Sequence, residues 1–185
     1  KTLTILLLIL TTSNFAQDYT FGKVSKDELA EKFYPLDSTA DAAYLYKKRR
    51  TYFEFVQGGG GFKVITDIHI RIKVYNKKGF EKATQYARYY KPENGKKESV
   101  NSIKGYTFNL ENGKIKKEKL SKSGVFDEKR NKYRSVKKIT MPSIKEGCVI
   151  ELKYKHVSPY KSIDDLQFQY DIPVKKLAYK IEIPE

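Results

Sequence analysis

The chain has 185 residues, is 39% hydrophobic and 14% aromatic, and carries 37 basic against 22 acidic residues for a net charge of +15. That apolar content can fill the core of one domain, which excludes wholesale disorder. A single cysteine excludes an internal disulfide and a cysteine-built metal site, and with two histidines beside it little material remains for catalysis.

Lys1 precedes an almost wholly apolar run from Leu3 to Leu10, which gives way to Thr11, Thr12, Ser13 and Asn14. A membrane-spanning helix needs roughly 20 apolar residues, so this run is too short to cross. A basic residue, a short apolar stretch and small or polar residues up to Ala16 follow the layout of a secretory signal peptide. Residues 1–16 are assigned to it, with cleavage after Ala16; the alternative is a buried N-terminal strand. The chain is therefore expected to be exported, periplasmic or extracellular. No cysteine stands near the cut to carry a lipid anchor.

Residues 17–43 read as an appendage. Ser25 is a good N-cap, Glu28 three residues later completes a capping box, and Val24 can staple against Leu29. The predicted helix runs from Ser25 to Phe33 and is stopped by Pro35. From Tyr44 the signals are those of strands, and residues 44–185 read as one β domain. Tyr44 to Val56 is aromatic and β-branched, and Gly58 to Gly61 forms a hairpin tip. In the run from Phe62 to Tyr75, Ile68, Ile70, Ile72 and Val74 alternate with His69, Arg71, Lys73 and Tyr75. That period of two predicts a strand with a buried aliphatic face and a solvated basic one.

Asn76 to Gly79 reads as a turn in which Gly79 takes positive φ, followed by a weaker strand from Phe80 to Tyr90. Pro92 to Gly95 is a further turn. Asn112-Gly113 between Val100–Leu110 and Lys114–Leu120 is the strongest hairpin signal in the chain. Ser121 to Lys132 reads as a loop and Tyr133 to Met141 as a strand. After Gly147 a strand places Ile150, Leu152, Tyr154 and His156 on one face. Phe168, Tyr170 and Ile172 alternate in the next, and Leu177 to Ile183 is the last. Because that strand runs directly into Pro184 and Glu185, the natural chain is expected to continue. The predicted fold is all-β, an antiparallel sandwich of about nine strands with a short N-terminal helix.

No set of residues converges on chemistry. Cys148 opens a strand with no helix N-terminus to lower its pKa, and His156 lies eight residues further along it, roughly 26 Å away at ~3.3 Å per residue. His69 reads as solvated and His156 as a partly buried, satisfied histidine. Two such residues do not make a zinc site. Asp164 and Asp165 are adjacent and point to opposite faces, so they read as turn residues rather than a catalytic pair. No cofactor is implied.

The charge is less bland. Lys114 to Lys138 holds nine lysines and two arginines against three acidic residues, a net charge of +8. Lys114, Lys116, Lys117, Lys119, Lys122, Lys132, Lys137 and Lys138 are the candidate contacts for a polyanion such as an acidic envelope polysaccharide. Solubility charge is the competing explanation. Lysine outnumbers arginine 31 to 6, which speaks against nucleic acid, where arginine forks and stacked aromatics dominate.

Three stretches carry a family resemblance. They are Tyr34-Pro35-Leu36-Asp37-Ser38-Thr39-Ala40-Asp41-Ala42-Ala43-Tyr44-Leu45-Tyr46, then Met141-Pro142-Ser143-Ile144-Lys145-Glu146-Gly147-Cys148-Val149-Ile150-Glu151, and Phe168-Gln169-Tyr170-Asp171-Ile172-Pro173-Val174 with Ile181-Glu182-Ile183-Pro184. Together they resemble the N-terminal domain of unknown function that precedes a transglutaminase-like core in exported bacterial proteins. The resemblance implies a β-sandwich accessory domain with an intramolecular transglutaminase-like partner. It carries over no catalytic residue, because the family's Cys-His-Asp triad lies in the following domain. The leading expectation is a non-catalytic module that docks on such a core or recruits substrate to it. The alternative is a free-standing extracytoplasmic module that binds acidic envelope polymers through its lysines.

Overall fold

The computed structural model describes residues 19–58 and 60–185; the expected signal peptide lies outside them. Among the described residues nine strands form two sheets. They are β1 (Ala42–Val56), β2 (Gly61–Val74), β3 (Thr84–Tyr90), β4 (Ser99–Glu111), β5 (Lys114–Lys119), β6 (Val125–Lys129), β7 (Arg134–Thr140), β8 (Val149–Ser158) and β9 (Leu177–Glu182). The larger sheet has the order β5-β4-β8-β2-β1-β9 and the smaller the order β3-β7-β6. The alternation of β2 and β8 sets the packing. Ile70, Ile72 and Val74 meet Ile150 and Leu152 on one face and pack against Ala83, Leu120, Ile139 and Met141 from the smaller sheet's side. The result is the expected sandwich, antiparallel throughout except at one edge, where β9 pairs parallel to β1.

Local chemistry explains the turns. Asn112 and Gly113 adopt φ of 50° and 71°, the two positive values a type I′ hairpin requires. Gly79 departs from expectation. It lies in a 3-10 helix over Lys77–Ala83 rather than at a positive-φ turn position. A Cβ there would stand 2.3 Å from the Asp41 carbonyl oxygen, so glycine is required by close approach of two backbones. The strand expected from Phe80 accordingly begins at Thr84.

Two further readings are corrected. Val125–Lys129, read as loop, is a strand paired with β7; polar Asp127, Glu128 and Lys129 hid it. Phe168 to Ile172, read as a strand, has no ladder partner among the described residues, and a single bridge joins Tyr44 and Val174 nearby. Its backbone runs as an irregular strap across residues 159–176. Ile172 reaches the core while Phe168 stays exposed. The Arg49 guanidinium holds the strap at the Asp164 and Asp165 carbonyls, at 3.1 and 3.0 Å. The pair, expected in a turn, thus lies in the irregular strap, and its backbone carbonyls rather than its carboxylates make the contact.

The helix α1 (Lys26–Ala30) has the expected capping box: the Ser25 hydroxyl accepts from Glu28 N–H, and the Glu28 carboxylate accepts from Ser25 N–H. It stops three residues before Phe33. It packs on the outer face of the larger sheet, opposite the smaller one, in a cluster of Tyr19, Leu29, Leu45, Phe108 and Val149, with Val24 against it. The molecule therefore has a third, partial layer over the face expected to be solvated.

Candidate functional site

The outer face of the larger sheet has a covered half and an open half. Under the N-terminal segment, Arg71 is 1% and Glu151 0% exposed. A buried charge is tolerated only with partners for every polar atom, and these have them. Arg71 donates through Nε to Glu151 Oε1 at 3.0 Å, through Nη1 to Glu28 Oε1 at 2.9 Å, and through Nη2 to the Thr20 and Lys23 carbonyls at 3.0 and 2.7 Å. The second Glu151 oxygen accepts from Gly22 N–H at 2.6 Å. Lys73, also buried, donates to the Leu29 and Gly147 carbonyls at 2.7 Å, and burial lowers its pKa to about 8. The basic face of β2 is thus an anchor that ties residues 20–29 to the sheet, which corrects its expected solvation.

His69 is corrected with it. Its Nε2 lies 2.8 Å from Glu151 Oε1, and its ring is edge-on to Phe21 and Tyr46. It marks the border of the covered half. Beyond it four adjacent strands bring three lysines and His69 into register. Lys104 on β4 stands opposite Lys153 on β8, Lys153 opposite His69 on β2, and His69 opposite Lys48 on β1. Residues directly opposite share a face, so the four form one row across the sheet. The neighbouring row holds Lys155, Asp67 and Arg50, where Asp67 accepts from Lys155 at 2.6 Å and Arg50 pairs with Glu182 at 2.5 Å. Together with Phe21 and Ser102 these rows line a concavity of about 560 Å³. Among the described residues no carboxylate pairs with Lys48, Lys104 or Lys153; the Lys153 ammonium sits 4.2 Å over the Phe21 ring.

The contiguous lysine stretch has a different fate. Lys114, Lys116, Lys117 and Lys119 lie exposed on β5, the edge of the larger sheet. Lys117 is turned inward along the face, over the Tyr106 ring at 3.9 Å and donating to the Gly22 carbonyl. Lys122 begins a 3-10 turn, and Lys132 lies in the β6–β7 turn over Tyr133. Lys137 and Lys138 belong to β7 in the other sheet, paired with Asp127 and Glu128. The stretch is contiguous in sequence and divided in space. The outer-face row is the reverse: its members are tens of residues apart. His69, Lys104 and Lys153 stood in the sequence within alternating strands and Lys48 in the basic run from 47 to 50, and only strand register joins them.

Two other places hold titratable or nucleophilic groups. An opening of about 670 Å³ between the sheets is lined by Arg49, Lys82, Arg88 and His156 with Glu81, Asp164 and Asp171. Its charges are balanced, Lys82 lying 2.6 Å from both Glu81 and Asp171. His156, expected to be satisfied, has its buried Nε2 without a hydrogen bond, 3.3 Å from a Glu98 oxygen. Cys148 is fully buried in the inter-sheet core, and burial raises its pKa. Among the described residues no group of three or more His, Cys, Asp or Glu side chains could hold a metal ion, and no helix is long and apolar enough to cross a membrane.

The fold recurs in a protein from Parabacteroides distasonis ATCC 8503 described as "a putative protease", solved at 2.00 Å, with a TM-score of 0.62 and 15% sequence identity. The match covers 78% of this chain and 29% of that one. No curated protein matches the sequence. Residues 63–185, from the second residue-pair of β2 through β9, match the profile of the family described as "Domain of Unknown Function with solved-structure structure". With more than half its length matched, the chain belongs to that family, DUF3857.

Proposed function

We propose that this chain is a non-catalytic accessory domain of a longer, exported, transglutaminase-like protein, and that it docks on or recruits substrate to a downstream catalytic core. The observation that carries this reading is the state of Cys148. A nucleophilic thiol needs exposure and a lowered pKa, from a helix N-terminus or a neighbouring cation. Cys148 has the reverse, a fully buried position and a pKa raised by burial. The recurrence of the fold within a chain of which it matches 29% supports a modular role.

The test assays the purified chain for casein hydrolysis and for amine incorporation into glutamine substrates, beside Cys148→Ala. Neither protein should turn over either substrate, and a thiol reagent should label Cys148 only as fast as the fold opens. Turnover that is lost in Cys148→Ala overturns the reading. The outer-face lysines favour a second one, a free-standing module for acidic envelope polymers. An immunoblot of the native source separates them: a mass well above 21.5 kDa supports the accessory domain, and a mass near it the free-standing module.

A further inference from the structure

We infer that the row Lys104, Lys153, His69 and Lys48 is a binding site for a linear acidic polysaccharide lying across the strands of the outer face. The inference rests on the recruiting role proposed above and gives that role a surface. Like charges directly opposite on neighbouring strands destabilise a sheet, yet Lys104 faces Lys153 in register and a histidine and a further lysine continue the row. The carboxylates at hand do not relieve it. Glu151 is engaged by Arg71, Gly22 and His69 beneath the N-terminal segment, and Asp67 by Lys155 in the next row. An external anion supplies what the fold leaves out.

Four strands at ~4.8 Å spacing make the row about 14 Å long. That is too long for one isolated anion and suits repeated charges along a chain. Phe21 lines the concavity that holds the row. The β4 bulge between Asn101 and Lys104, with Ser102 at a φ of 53°, presents backbone and hydroxyl. Lysines act as point charges, whereas nucleic acid selects arginine forks and rows of stacking rings. Here the row itself holds no arginine, and Lys153 already occupies a face of the Phe21 ring.

The experiment titrates the full chain into fluorescein-labelled polygalacturonate and, separately, labelled heparin, between about 50 and 200 mM salt. The first probe carries carboxylates and the second adds sulfates, so their ratio identifies the preferred group. The variant Lys48→Gln/Lys104→Gln/Lys153→Gln is compared with Lys32→Gln/Lys77→Gln/Lys78→Gln, which has the same net charge. The row variant should bind at least ~10-fold more weakly with a shallower salt dependence, as expected when about three charges leave the contact. The control should lose about twofold or less, the size of a screened long-range effect. The melting temperature of the row variant should equal or exceed that of the unmodified chain, since repulsion is removed. Should the triple variant melt early, Lys104→Gln alone, on an exposed side chain, keeps the comparison. Equal losses in both variants overturn the proposal, as does failure to bind either polymer or displacement of both by single-stranded DNA. Those failures remove the site and leave the non-catalytic reading standing, which only Cys148-dependent turnover removes.

Discussion

Arg71 joins Lys73, the Gly22 amide and the Leu29 cluster in tying the N-terminal segment to the larger sheet. Its guanidinium joins Glu151 on β8, Glu28 on α1 and two carbonyls of the N-terminal segment. Arg71→Met therefore leaves two buried carboxylates without a cation, and should cost about 3–5 kcal/mol in a urea titration. Arg71→Lys should recover little of this, because an ammonium cannot span the fork. Gly79→Ala places a methyl against the Asp41 carbonyl and should cost about 1–3 kcal/mol, the range for overpacking. Lys104→Gln should have the opposite sign: relief of the Lys153 opposition raises stability by a few tenths of a kcal/mol. A melt in which Lys104→Gln is clearly destabilised would show that the row carries no repulsion.

At the scale of elements, α1 shows how a strong local signal and tertiary packing divide the work. Five residues are too few to hold a helix in water. The capping box defines where it starts, and Leu29 in the cluster with Phe108 and Val149 holds it down. Ser25→Ala should cost about 1 kcal/mol, read as a lower urea midpoint. What was legible in the sequence follows the same division. The Asn112-Gly113 hairpin and the β2 and β8 alternations were plain because turn chemistry and periodicity are local. The strap from Phe168 to Ile172 alternates equally well but is no strand, since alternation records which side is buried and not whether a backbone partner exists. β9 has taken the free edge of β1, and Arg49 holds the strap at its carbonyls instead. The β6 strand was missed for the converse reason: on a small, half-exposed sheet, Asp127 and Lys137 can be cross-strand partners in an ion pair.

For the whole molecule, buried titrating groups set a dependence on pH. Burial holds Lys47 and Lys73 at about 8, against ~10.4 in an unfolded chain. Between those values the unfolded state binds more protons, so stability rises with pH. Tyr19, Tyr89 and Tyr154 are pushed up to about 12, chiefly by burial. Above ~10 unfolded tyrosines ionise while these do not, so stability then falls. Urea midpoints should climb from about pH 8 to about pH 10 and drop beyond it, and Lys73→Met should flatten the climb whatever its own stability. The outer face is where a reading from sequence reached its limit. His69, Arg71 and Lys73 looked like one solvated stripe, because the segment that covers two of them precedes β1 and declares no target. The lysine run from 114 to 138 looked like one patch, while the row that forms a patch spans Lys48 to Lys153 and exists only through register. Backbone amide shifts of the isotopically labelled chain, followed as an acidic polysaccharide is added, test this most directly. The account predicts movement at Phe21, Lys48, His69, Lys104 and Lys153, with Cys148 and the lysines of β5 and β7 unmoved; movement confined to β5 and β7, or none at saturating polymer, would contradict it.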